Sequence, residues 1–281
     1  MKHATTRWLA ALILLFGYDS VAHAESPFER GDYLVNTVMA CGFCHTPRGP
    51  GAQYLLSGGP QTFEEAVYTV KGSNITPDTE TGIGNWTDAD IKRAVTAGVR
   101  PDGTSLAPSM PFSFYKALTP GDLDAVVVYL RSVPSVRNKV AAPTYREAMP
   151  RLDVRGLGAM VITGQDDRVA HGRYLATLAH CMDCHARRQD GQHDFVEALG
   201  KGGHVMKGPF GAVPVRNITS HLTAGIGAWT DDEIRRSLTH AVSRDGRPLM
   251  PPMARSVYFS RMTSTDLDAL VAYVRALPPL D

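Results

Sequence analysis

Two short stretches constrain this chain more than anything else in its 281 residues: CGFCH at 41–45 and CMDCH at 181–185. Between them they use all 4 cysteines, and each pair is followed directly by a histidine. A thiol pair separated by two residues, with an imidazole next to it, places two sulfurs and one nitrogen donor on a single turn of chain. Committing every thiol to that arrangement, twice, makes these turns the points around which the rest must fold.

Three chemistries compete for such a pattern. Two disulfides would suit an exported protein, but they leave both histidines unexplained. Zinc sites of paired C-x-x-C units usually space the pairs by about 12 to 20 residues, whereas Cys41 and Cys181 lie 140 positions apart. Haem attachment accounts for every residue: the two thiols add to the two vinyl groups, and the histidine becomes an axial iron ligand. Two covalently bound haem c groups are therefore expected, on Cys41, Cys44 and His45 and on Cys181, Cys184 and His185.

Haem is attached to this motif outside the cytoplasm, and the N-terminus agrees. Lys2 and Arg7 precede an apolar run from Trp8 to Gly17, and Ala22-His23-Ala24 is a small-x-small cleavage signal. A signal peptide over 1–24, cleaved after Ala24, and a periplasmic product are expected. Removing Lys2, Arg7 and Asp19 from the 29 basic and 28 acidic residues leaves 27 of each. That balance argues against nucleic acid as a partner, and no later run is apolar for long enough to span a membrane.

The second half of the chain repeats the first. RGDYLVNTVMACGFCH (30–45) matches HGRYLATLAHCMDCH (171–185) with one residue fewer. NITPDTETGIGNWTDADIKRAV (74–95) matches NITSHLTAGIGAWTDDEIRRSL (217–238) without a gap. DGTSLAPSMPFSFY (102–115) matches DGRPLMPPMARSVY (245–258), and DLDAVVVYLRSVP (122–134) matches DLDALVAYVRALP (266–278). Repetition on this scale predicts one unit folded twice, each a string of helices and loops. Thr87 and Thr230 read as N-caps with acidic residues in the next turn, and Trp86 and Trp229 stand at the staple position before them. Thr119-Pro120, with Asp122 in the first turn, opens a closing helix. The expected domains are 25–134 and 169–281, joined by a surface linker at 135–168.

What faces each iron opposite the histidine decides between carrying electrons and catalysis. Met110 in APSMPF and Met253 in MPPMAR occupy corresponding proline-flanked loops. Thioether sulfur favours ferrous iron and raises the potential, so these are the expected sixth ligands. Met253 is preferred to Met250, which aligns with Ala107. The remaining histidines His171, His180, His193, His204, His221 and His240 have no counterpart in the first half and read as surface or hydrogen-bonding residues, with the haem edge a second reading for His180, beside Cys181.

With these residues in hand, the chain resembles the class I cytochrome c family, and in particular the cytochrome subunits that accompany bacterial periplasmic alcohol, aldehyde and sugar dehydrogenases. The shared residues are Cys41, Cys44, His45, the NIT at Asn74, TGIG-x-W ending at Trp86, and Met110-Pro111, with Cys181, Cys184, His185, Asn217, Trp229 and Met253 in the second half. The resemblance implies an all-α chain of two tandem cytochrome c domains related by internal duplication. It also implies that Asn74, Trp86, Asn217 and Trp229 lie near the haem propionates. The expected function is single-electron transfer from a periplasmic dehydrogenase to another cytochrome or a terminal oxidase, with no catalytic residues in this chain. The alternative is a diheme enzyme, such as a cytochrome c peroxidase or a thiosulfate dehydrogenase, which needs a displaceable sixth ligand on one iron.

Overall fold

The structure is a computed structural model that describes residues 24–48, 55–149, 167–186, 193–208 and 210–281. The proposed signal peptide up to residue 23 and the middle of the expected linker, 150–166, lie outside the described residues.

The first half opens with α1 (Pro27–Tyr33), capped by Ser26 and Glu29 in a reciprocal capping box. A π-helical turn follows at Leu34–Val38, then the short α2 (Gly42–His45) that carries the first motif. The π turn accounts for a detail of the repeats. The first opening block is one residue longer than the second, and a π turn absorbs one extra residue within a helix. The corresponding α6 (Asp167–Leu178) is plain α-helix throughout, and a turn at Ala179–His180 separates it from α7 (Cys181–His185).

The middle helices α3 (Asp88–Ala97) and α8 (Asp231–His240) start where their caps predict. The Asp90 N–H donates to Thr87 Oγ1 at 3.1 Å, and the Thr87 N–H donates to the Asp90 carboxylate at 3.0 Å. Thr230 and Glu233 make the same exchange at 2.8 and 3.2 Å. Both helices end in a left-handed residue, Gly98 in one and Ala241 in the other. The short helices α4 (Phe112–Tyr115) and α9 (Ser256–Phe259) lead to the closing helices α5 (Pro120–Ser132) and α10 (Ser264–Ala276).

Each closing helix packs on its opening helix, α5 on α1 and α10 on α6. Glycine makes the approach possible: a Cβ on Gly31 would fall 2.1 Å from the Ala125 carbonyl oxygen, and one on Gly172 would fall 1.8 Å from that of Ala269. The buried face of α5 includes Val126, Val127 and Leu130. One apolar core runs through both halves, from Leu34 and Val38 to Leu175 and Leu178, and Phe114 meets Phe195 edge-on where they join.

The all-α, duplicated-domain expectation is corrected here. Antiparallel strands β1 (Thr62–Glu65) and β2 (Tyr68–Lys71) pair in the first half, and β3 (Thr144–Tyr145) adds to the β2 edge. The second half carries the two-stranded pair β4 (Val205–Gly208) and β5 (Gly211–Pro214). TFEEAVYTVK holds β-branched and aromatic residues that pack well on a pleated surface, yet each hairpin arm is only 4 residues long. The halves are also not the same set of elements, because the π turn and β3 belong to the first alone among the described residues. No helix among those residues is long and apolar enough to cross a membrane.

Candidate functional site

Both motifs are launched by strained backbone. Ala40 (φ 51°) and His180 (φ 44°), each directly before a first cysteine, sit in the left-handed region that non-glycine residues avoid. The kink turns the chain from the opening helix into the C-x-x-C-H turn. Behind the first motif the fit is close enough that a Cβ on Gly59 or Gly72 would stand 1.6 or 2.0 Å from the Cys44 carbonyl oxygen.

The motif histidines are oriented identically. His45 Nδ1 lies 2.7 Å from the Ser73 carbonyl oxygen, and His185 Nδ1 lies 2.8 Å from that of Arg216. A carbonyl only accepts, so the proton resides on Nδ1 and the Nε2 lone pair is left for a metal. Burial lowers the pKa of His45 and carries that of His185 down to about 4, so both rings are neutral at pH 7. Burial likewise pushes the thiol of Cys41 up to about 12 and that of Cys181 up to about 11.

A cavity of about 930 Å³ opens beside the first motif, lined by Cys41, Cys44, His45, Asn74, Trp86 and Met110. Its size lies in the range of small-ligand sites, roughly 300 to 1,000 Å³. The apolar wall includes Ile91, Val126 and Leu130, whereas Lys71, Arg100, Arg137 and Lys139 supply cations. An apolar slot with a cationic edge suits a flat macrocycle bearing two carboxylates, so the residues present fit a haem. His45 Nε2 would hold the iron and the two cysteines the ring edge. The group itself supplies one-electron redox chemistry.

Two residues in that wall, His180 and Arg255, come from the second half. Around the second motif, Met182 and His185 are buried, and Cys184 Sγ lies 3.4 Å from Met206 Sδ on β4. Met253 is half-buried, whereas Met250 is 53% exposed.

The asparagines are structural staples. Asn74 donates to the Val136 carbonyl at 2.7 Å and to Thr81 Oγ1 at 3.1 Å, while its oxygen accepts from the Thr76 N–H and hydroxyl. Asn217 repeats this with the Leu280 carbonyl and Thr219. Trp86 and Trp229 are half-buried, and their carbonyls accept from Arg131 and Arg275. Arg131 also reaches the Ile83 and Gly84 carbonyls and the Asp88 carboxylate. These arginines tie each closing helix to the loop around the tryptophan, and the sequence reading missed them. Their signal was the shared arginine in YLRSVP and YVRALP.

The expected linker also contributes directly to the site. Arg137, Lys139 and Tyr145 line the cavity, and the Asn138 amide donates to the Ser57 carbonyl at 2.8 Å. Nothing in the repeats pointed to this, because the segment has no counterpart in them.

Comparison with known proteins bears on the same residues. The cytochrome c family matches residues 169–278. The fructose dehydrogenase cytochrome subunit of Gluconobacter japonicus is 30% identical over 274 residues, covering 92% of this chain and 54% of that protein. The cytochrome c subunit of the quinone-type alcohol dehydrogenase of Gluconobacter oxydans (strain 621H) is 30% identical over 295 residues, covering 96% of this chain and 60% of that protein. A protein named "Diheme cytochrome c-type" from Cereibacter sphaeroides is 28% identical over 255 residues, covering 86% and 83%. The chain thus spans little more than half the length of the dehydrogenase subunits it matches. Residues 169–278 form a cytochrome c domain, the setting for covalently bound haem c, and the chain is similar along most of its length to cytochrome c subunits of dehydrogenases.

Proposed function

We propose that this chain is a periplasmic diheme electron carrier, each haem held by its C-x-x-C-H motif and capped by methionine, Met110 in the first half and Met253 in the second. Electrons arrive singly from a dehydrogenase partner and leave towards another cytochrome or a terminal oxidase of the respiratory chain. The similarity to dehydrogenase cytochrome subunits supports the donor, and the signal-like pattern of Lys2 and Arg7, the apolar run from Trp8 to Gly17 and Ala22-His23-Ala24 supports export.

The observation that carries the reading is the pair of histidine–carbonyl bonds, His45 to Ser73 and His185 to Arg216. Each fixes a neutral imidazole with Nε2 free for iron. The protein's own work is then to exclude water, fix the ligands and set potentials. Met110 in the cavity wall beside His45 supports sulfur ligation of the first iron. The partial burial of Met253, against the exposure of Met250, supports the matching choice in the second half.

The test is the electronic spectrum of the ferric protein. The expected result is a sulfur-to-iron charge-transfer band with the intensity of two haems. A high-spin haem, or rapid turnover of peroxide, would overturn the carrier reading in favour of a diheme enzyme.

A further inference from the structure

One side chain of the second half stands between the two attachment motifs. Arg255 follows the Met253 loop, and its guanidinium lies 4.9 Å from the ring centroid of Phe43, one of the two residues between Cys41 and Cys44. Its Nη1 donates to His180 Nε2 at 3.1 Å, and His180 is bonded in sequence to Cys181. Its Nε donates to the Pro252 carbonyl at 3.2 Å, which holds the fork in place. Both Arg255 and His180 belong to the wall of the first cavity. A chain of contacts therefore runs from the first motif through Phe43, Arg255 and His180 to the second.

We propose that Arg255 is a positioning residue serving both centres at once, a single fixed cation that seats the second half against the first cavity and raises the reduction potential of both haems. This rests on the two-haem reading above. Reduction adds one negative charge to each haem, and a half-buried cation stabilises that charge more strongly than one in water. Its reach extends to both motifs, through the Phe43 ring on one side and the His180 imidazole next to Cys181 on the other. His180 accepts from a group that only donates, and burial together with that cation lowers its pKa to about 3, so the imidazole adds no second charge.

The experiment is a spectroelectrochemical titration of the full-length haem-loaded chain. Arg255→Gln and Arg255→Met should each lower both midpoint potentials, whereas Arg255→Lys should leave both near wild type. Met keeps a long unbranched side chain without the charge and Lys preserves the charge, so failure of the Gln chain to load haem leaves two variants to read. The proposal is overturned if neither potential moves, if only one moves, or if Lys falls as far as Met. A wild-type protein holding one haem overturns the two-centre reading and this proposal with it. Two haems whose potentials ignore Arg255 overturn this proposal alone.

Discussion

The hydroxyl of Tyr33, at the end of α1, donates a hydrogen bond to the carboxylate of Asp266, 233 positions away in α10. The same hydroxyl accepts from the backbone N–H of Thr263, the cap of that helix, at 3.2 Å. Tyr174 reproduces the arrangement in the opposite sense, donating to Asp122 and accepting from Thr119 N–H at 3.4 Å. Burial and the neighbouring carboxylate push both phenols up to about 12. Each half thus inserts one tyrosine into the helix cap of the other. Tyr33→Phe and Tyr174→Phe should each destabilise the chain by about 1.5–3 kcal/mol, the range for hydrogen bonds to charged groups. Denaturant unfolding of the single and double variants measures this, and an effect below a few tenths of a kcal/mol would show that the contacts do not hold the halves together.

Asp122 makes this contact sensitive to acid. Burial works to raise its pKa, but hydrogen bonds from Arg30 (2.7 and 2.9 Å) and Tyr174 outweigh it, and the net shift is downward. A carboxylate lowered on folding stabilises the fold above its unfolded value, near 4, and loses that contribution as pH falls through the folded value. Stability measured from pH 6 downward should therefore fall below about pH 4. Asp122→Asn should be less stable than wild type at neutral pH and show a flatter acid limb. An unchanged acid limb would assign the loss to other groups.

The helix crossings give a contrast between glycines. Gly31→Ala and Gly172→Ala force a methyl against the Ala125 or Ala269 carbonyl and should cost about 3 kcal/mol or more. A Cβ on Gly121, in the first turn of α5, meets nothing within 4 Å, so Gly121→Ala should stabilise by about 0.5–1 kcal/mol. Thermal unfolding of the three variants tests the ordering.

Ala241 ends α8 with φ 53°, where Gly98 ends α3 with φ 66°. Giving the second half the residue of the first, Ala241→Gly, should stabilise it by about 1 kcal/mol. A loss of stability instead would mean that the alanine methyl packs more than its backbone strains.

The proposed ligands separate the centres. Met110→Ala should lower the potential of the first haem, leave the second near its wild-type value and remove half of the charge-transfer band, and Met253→Ala should do the converse. Band intensity and redox titration together check it, and loss of both halves of the band from one substitution would contradict independent sulfur ligation.

What could be read from the sequence was local. Cys41, Cys44, His45 and their second-half equivalents carry their chemistry within five residues, and Thr87, Thr119 and Thr230 announce their helices within one turn. The strands were missed because arms of 4 residues give too little periodicity, and β3 joins its sheet from 75 positions beyond Thr69. Tyr33 with Asp266, and Arg255 with Phe43, pair residues that only the folded chain brings together. Asn74 was read for its loop, and its bonds to the Val136 carbonyl and Thr81 could not be read because those partners are set by the fold.

The stretch after α5 carries a practical corollary. Val136 and Asn138 are stitched to Asn74, Thr81 and Ser57, and the Arg146 N–H donates to the Val67 carbonyl at 2.9 Å, closing the sheet edge. An excised amino-terminal lobe stopped at Pro134 would lack one side of the cavity beside His45, so anyone preparing that lobe alone should carry the cut beyond Arg146.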